Sequence, residues 1–210
     1  MVIKKIELKT DILLGFFICA LILANTLGNK ITTIFGVRVS VGIFFIPILF
    51  LITDIVSEVL GKKKAQEFVY ISIFVLIFTL IMMYVAIKMP PNETWGNQEA
   101  FASVFSSNLR MTIASIIAFI TSQFHDVWAF NLLKKKTKGK YLWLRNNVST
   151  ITSQFIDTTI FMFIAFYKIN PRFTASFIVS LIIPYFIFKV VFALLDTPFC
   201  YLGVKWLRKE

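Results

Sequence analysis

Six apolar stretches approach or exceed the roughly 20 residues that a helix needs to cross a bilayer. They fall at about 11–27, 41–60, 68–87, 109–133, 148–167 and 177–204, the last long enough to tilt or kink. A chain that is 58% hydrophobic, with 24 phenylalanines and only 16% charged residues in 210, carries more apolar surface than a soluble core of that size can hide. The expected fold class is an all-α membrane protein: one integral domain over 1–210, built as a six-transmembrane-helix bundle. The segment LGNKITTIFGVRVS (27–40) is too polar and too rich in Thr and Val for a span, and reads as a loop with a short extended turn. The first apolar run follows a basic start but has no convincing small-x-small cleavage site, so it reads as an uncleaved first span.

A net charge of +11 would suit a nucleic-acid binder, but the basic residues cluster at alternate span ends, at 62–64, 134–145 and 205–209. That is the positive-inside pattern, and it predicts that both termini are cytoplasmic. The KKKTKGKYLWLR run (134–145) reads as an anchor in lipid headgroups with interfacial aromatics, not as a nucleic-acid surface. Cys19 and Cys200 fall in separate spans, and with one His they offer neither a disulfide framework nor metal-ligand spacing. No cofactor is expected.

Inside the apolar runs, one polar pattern occurs twice: TSQFHDVWAF (121–130) and TSQFIDTTIF (152–161). Each places Gln one helical turn before Asp on the same face: Gln123 with Asp126, and Gln154 with Asp157. Counted from the nearest basic boundary at about 1.5 Å per residue, Asp54, Asp126 and Asp196 lie roughly 12–14 Å deep and Asp157 roughly 18 Å. Antiparallel neighbours would therefore bring Asp126 level with Gln154, and Gln123 towards Asp157. Ionisable groups at such depth need a partner, a cavity or a ligand, and together they mark the expected site. His125 points about 100° away from Asp126 and is expected to pack or form an interface.

Lys189 lies two turns from Asp196 on one face, so its ammonium is neutralised either within its own helix or by a carboxylate opposite. Pro47 and Pro184 interrupt apolar runs and are expected to kink them, and Pro198 follows Asp196 closely. Ala20, Ala24 and Gly28 form a small-residue stripe for close helix approach or docking, with Asn25 and Asn29 beside it. The run at 68–87 is almost wholly apolar and is expected to face lipid.

Asn25 near the end of the first span, TDIVSEVLG (53–61), SQFHDVWAFNLL (122–133), STITSQFIDTTIFMFIAF (149–166) and Lys189 followed by LLDTPFCYLG (194–203) resemble the queuosine-precursor transporter family, also called the vitamin uptake transporter family. The resemblance covers essentially the whole chain. It implies a carrier in the bacterial inner membrane that imports 7-deazaguanines (7-cyano-7-deazaguanine, 7-aminomethyl-7-deazaguanine or queuine) for queuosine in tRNA. The family is also distantly similar to the substrate-binding subunits of energy-coupling-factor transporters, which dock through an alanine stripe on the first helix.

A guanine-like edge offers two adjacent N–H donors and a carbonyl, so a carboxylate can take the donors while an amide or ammonium meets the carbonyl. Asp126 and Asp157 are the expected acceptors. Asn25, Gln123, Gln154 and Lys189 are candidates for the other polar contacts, and Asp54, Glu58 and Asp196 for gating, binding or proton coupling. Phe124, Trp128 and Phe155 are candidates to stack on the base. The expected partners are the small-molecule base and membrane lipid, with no direct nucleic acid, and association as a homodimer stays open. An enzyme is disfavoured because the sequence carries no nucleophile–base arrangement, metal cluster or phosphate loop.

Overall fold

The computed structural model describes residues 2–28, 30–34, 37–106, 109–168, 171 and 173–209, with the side chains of 2–5, 31, 37–38, 106 and 109–112 left out; Asn29 lies outside the described residues. Six long helices correspond to the six apolar runs: α1 (Val2–Leu27), α2 (Ile46–Val59), α3 (Lys62–Lys88), α5 (Leu109–Lys136), α6 (Leu142–Phe166) and α7 (Ala175–Arg208). A short helix, α4 (Gln98–Ser106), stands between α3 and α5. All six long elements are long and apolar enough to cross a membrane, α2 only together with the turn that precedes it.

The polar loop after α1 is a β-hairpin, in which β1 (Ile31–Ile34) and β2 (Val37–Ser40) pair antiparallel with Ile31 opposite Ser40. Its Ile, Thr and Val residues suit a pleated strand better than a helix. The chain then enters a 3-10 turn (Val41–Phe44) whose first amide is capped by the Ser40 side chain. Pro47 sits in the first turn of α2, where it needs no hydrogen-bond donor, so it starts that helix and does not kink it as the sequence suggested. Pro184 and Pro198 do lie inside α7, whose 34 residues span about 51 Å and exceed the ~30 Å hydrocarbon layer.

Helix α6 starts six residues before the expected boundary at 148, because Arg145, Asn146 and Asn147 are buried and helical. Hydropathy reads these residues as a loop. The fold gives two of them partners within the protein: Arg145 bonds Glu58 and the Lys140 carbonyl, and Asn147 donates to the Trp143 carbonyl and to Thr197 Oγ1.

Helices α1, α2, α3 and α5 share a core that includes Phe17, Leu21, Leu49, Val56, Phe68 and Phe119. The opposite face of α3 exposes Phe74, Phe78, Ile81 and Tyr84, as expected for a lipid-facing helix. Lipid supplies no hydrophobic drive between helices, so close packing and interhelical polar bonds hold such a bundle. Gly203 shows the first, because a Cβ there would collide with the Ile55 side chain of α2. Lys9 donates to the carbonyls of Trp206 (2.8 Å) and Lys209, which ties the start of α1 to the end of α7 at one end of the bundle.

Candidate transport site

Helices α1, α5, α6 and α7, the hairpin exit and the first residue of α2 line a cavity that is partly open to solvent. Asp157 of α6 and Lys189 of α7 form the charged wall, with Oδ2 2.6 Å from Nζ. Ser122 Oγ, from α5, donates to the other carboxylate oxygen at 3.4 Å, and Lys189 Nζ lies 5.5 Å from the centre of the Tyr185 ring. Lys189 is thus neutralised by the carboxylate opposite, not by Asp196 on its own helix. Asn25 lines the α1 side and donates to the Leu21 carbonyl at 2.9 Å, while Phe119, Phe161 and Tyr185 supply aromatic surface.

The hairpin end closes against α1 through glycine. A Cβ on Gly42 would lie 2.8 Å from the Ala24 carbonyl oxygen and 3.2 Å from Gly28 Cα, so only a residue without a side chain allows this approach. Ser40 Oγ donates to the Gly28 carbonyl at 2.5 Å and accepts from the Gly42 amide at 3.1 Å, joining the hairpin exit to the end of α1.

A second polar group lies along α5 and α6. Asp54 of α2 and Asp126 of α5 are fully buried and lie close together. Thr150 donates to Asp54 at 3.2 Å and Thr53 to Asp126 at 3.4 Å. Gln123 and Gln154 are fully buried, and neither amide finds a partner within the protein. His125 Nδ1 meets Ser153 Oγ at 2.8 Å and its ring packs on Trp128, in keeping with the expected helix-packing role. A third group closes the basic end of the bundle, where Glu58 binds Arg145 (2.5 Å), Arg208 (3.0 Å) and Lys134 (3.1 Å).

Of the expected ligand-binding residues, the fold puts Asn25, Asp157 and Lys189 on the cavity wall, and buries Gln123, Asp126 and Gln154 away from its lining. Asp54 joins Asp126, Glu58 joins the basic cluster, and half-buried Asp196 has a buried oxygen with no partner. The expected stacking residues do not reach the cavity. Trp128 and Phe155 are about half exposed on the outer surface, and Phe124 packs on Tyr70. The sequence reading missed Tyr185, Phe119 and Ser115. Tyr185 stands one turn before Lys189, and Ser115, Phe119, Ser122 and Asp126 share one face of α5, so helical spacing carried the signal. Among the described residues no His, Cys, Asp and Glu group could hold a metal ion.

The family described as "Putative vitamin uptake transporter" matches residues 40–203, from the hairpin exit to the last turns of α7. The chain belongs to this vitamin uptake transporter family. It is 28% identical over 192 residues to the "Probable queuosine precursor transporter" of Bacillus subtilis (strain 168), covering 91% of this chain and 82% of that protein. It is 27% identical to the "Queuosine precursor transporter" of Escherichia coli (strain K12), covering 85% and 78% of the two chains. No solved structure matches the chain. With six apolar helices, this vitamin uptake transporter is a multi-pass protein of the bacterial inner membrane. All of the cavity residues except Leu21, Ala24, Asn25 and Gly28 fall within the matched span.

Proposed function

We propose that this protein imports queuosine precursors, 7-deazaguanine bases such as 7-cyano-7-deazaguanine, 7-aminomethyl-7-deazaguanine or queuine, by alternating access around the Asp157–Lys189 cavity. The carrying observation is a carboxylate and an ammonium side by side on the wall of an aromatic-lined cavity. The Asp157 carboxylate accepts the two adjacent N–H groups of the guanine-like edge. Lys189, released from its ion pair, donates to the ring carbonyl, and Phe161 and Tyr185 cover the base faces. Gln123, Asp126 and Gln154 form the polar layer behind. The termini and the Glu58 cluster face the cytoplasm, where the cluster is the inner gate.

Work as a binding subunit of an ATP-driven complex would need an accessible alanine stripe on α1. Ala20 is buried and Ala24 faces the cavity, which disfavours docking through that stripe. Purified protein in liposomes should take up radiolabelled 7-cyano-7-deazaguanine without a partner, and Asp157→Asn should reduce uptake at least tenfold. Equal uptake by the native protein and this variant would sink the assignment.

A further inference from the structure

Asp54 and Asp126 meet away from the cavity, and their contact poses a chemical requirement. Two carboxylates this close and cut off from water cannot both ionise without a cation, so the pair needs a proton. The surrounding donors do not remove that need. Thr150 and Thr53 each reach one oxygen, Thr53 also bonds the Leu49 and Phe50 carbonyls, and Oδ1 of each Asp has no partner within the protein.

No cation bonds the pair among the described residues, because the buried ammonium of Lys189 is bound to Asp157 and the buried guanidinium of Arg145 to Glu58. The other titratable groups near it are Asp196 and Cys200 of α7, Glu58 one turn along α2, and His125 beside Asp126. Helices α1 and α3 pack on α2 through apolar Phe17, Leu21, Phe68 and Val69.

Gln123 stands one turn from Asp126 on the same face of α5, fully buried, with both amide atoms unbonded, and Gln154 lies between Thr150 and Asp157 on α6. A polar seam thus links the cavity to the carboxyl pair. Because α2, α5 and α6 stay helical through these positions, no backbone carbonyls are freed there, and a sodium site built on unwound backbone does not fit.

We propose that Asp54 and Asp126 form a proton-binding site, distinct from the substrate cavity, that holds one proton between two carboxyls and couples its inward passage to import. The proton enters from the cavity side past Ser122 and the two glutamines. It rests as one carboxylic acid bonded to one carboxylate, and leaves towards the Glu58 end as two carboxylates remain. One proton moves per cycle, and no bond other than O–H forms or breaks.

Two measurements test this, and only the second rests on the proposed substrate. Infrared spectra of the purified full-length protein at neutral pH should show a protonated-carboxyl stretch that disappears in Asp54→Asn and in Asp126→Asn. A native protein without that band, or a band that persists in both variants, overturns the site. In liposomes, an inward-directed pH gradient should raise accumulation of radiolabelled 7-cyano-7-deazaguanine by about tenfold per pH unit at equilibrium. Asp54→Asn should bring accumulation down to the native level without a gradient. Uptake that follows an imposed sodium gradient and ignores pH overturns the coupling. No uptake under any gradient counts against the substrate, and the infrared result still decides the proton site.

Discussion

Asp157→Asn removes one charge of a pair whose side chains are 12% exposed (Asp157) and 4% exposed (Lys189). Breaking a buried ion pair by deleting one partner costs about 3–5 kcal/mol, most of it the stranded charge. Asp157 touches the cavity and its water, so the lower end applies, and the variant should lose about 3 kcal/mol. For a chain of this length that lowers the midpoint of thermal unfolding in detergent by about 6–12 °C. Lys189→Met leaves the better solvated partner with the Ser122 hydroxyl, and should cost about 2 kcal/mol. The double variant carries neither charge and should fall within about 1 kcal/mol of the native protein, a coupling of about 4 kcal/mol between the two sites. Transport should stay lost in all three. A double variant as unstable as the sum of the singles would refute the claim that Asp157 and Lys189 are stabilised chiefly by each other.

Glu58→Gln should strand the buried Arg145 guanidinium and destabilise the protein by about 3 kcal/mol, read as a lower unfolding midpoint, whereas Arg208→Gln, at the exposed rim, should cost under about 1 kcal/mol. Gly42→Ala presses a methyl against backbone and should collapse ligand binding. Gly203→Ala presses on the end of the Ile55 side chain, which can turn aside, and should cost only about 1–2 kcal/mol by the same thermal assay. Phe161→Ala should weaken binding of 7-cyano-7-deazaguanine at least tenfold by equilibrium dialysis. Phe155→Ala, on the outer surface, should leave it within about twofold.

The spans were legible because about 20 apolar residues in a row have few other uses. Their polar ends were less so: Arg145, Asn146 and Asn147 look like loop residues until Glu58, distant in sequence, is seen to bind Arg145. Spacing along single helices singled out Asp157 and Lys189, which the fold pairs on one cavity wall. It failed to separate the Asp54–Asp126 pair from the cavity, because depth along a helix fixes one coordinate and rotation about its axis fixes another. The aromatic candidates failed for the same reason: proximity in sequence to Asp126 and Asp157 put Trp128 and Phe155 on the wrong side of their helices. The hairpin residues Ser40 and Gly42 acquire meaning only when the chain turns back onto Gly28.

Pro184 and Pro198 bracket Lys189 on α7, and each removes one rung of the backbone ladder beneath it. The lysine therefore rides on a short rod with a soft joint at either end, while the tail of α7 stays fastened to Lys9. A few degrees of swing in that rod would carry the ammonium away from Asp157 without unfastening the bundle, so the release of the carboxylate that the proposed cycle requires would need only a local bend.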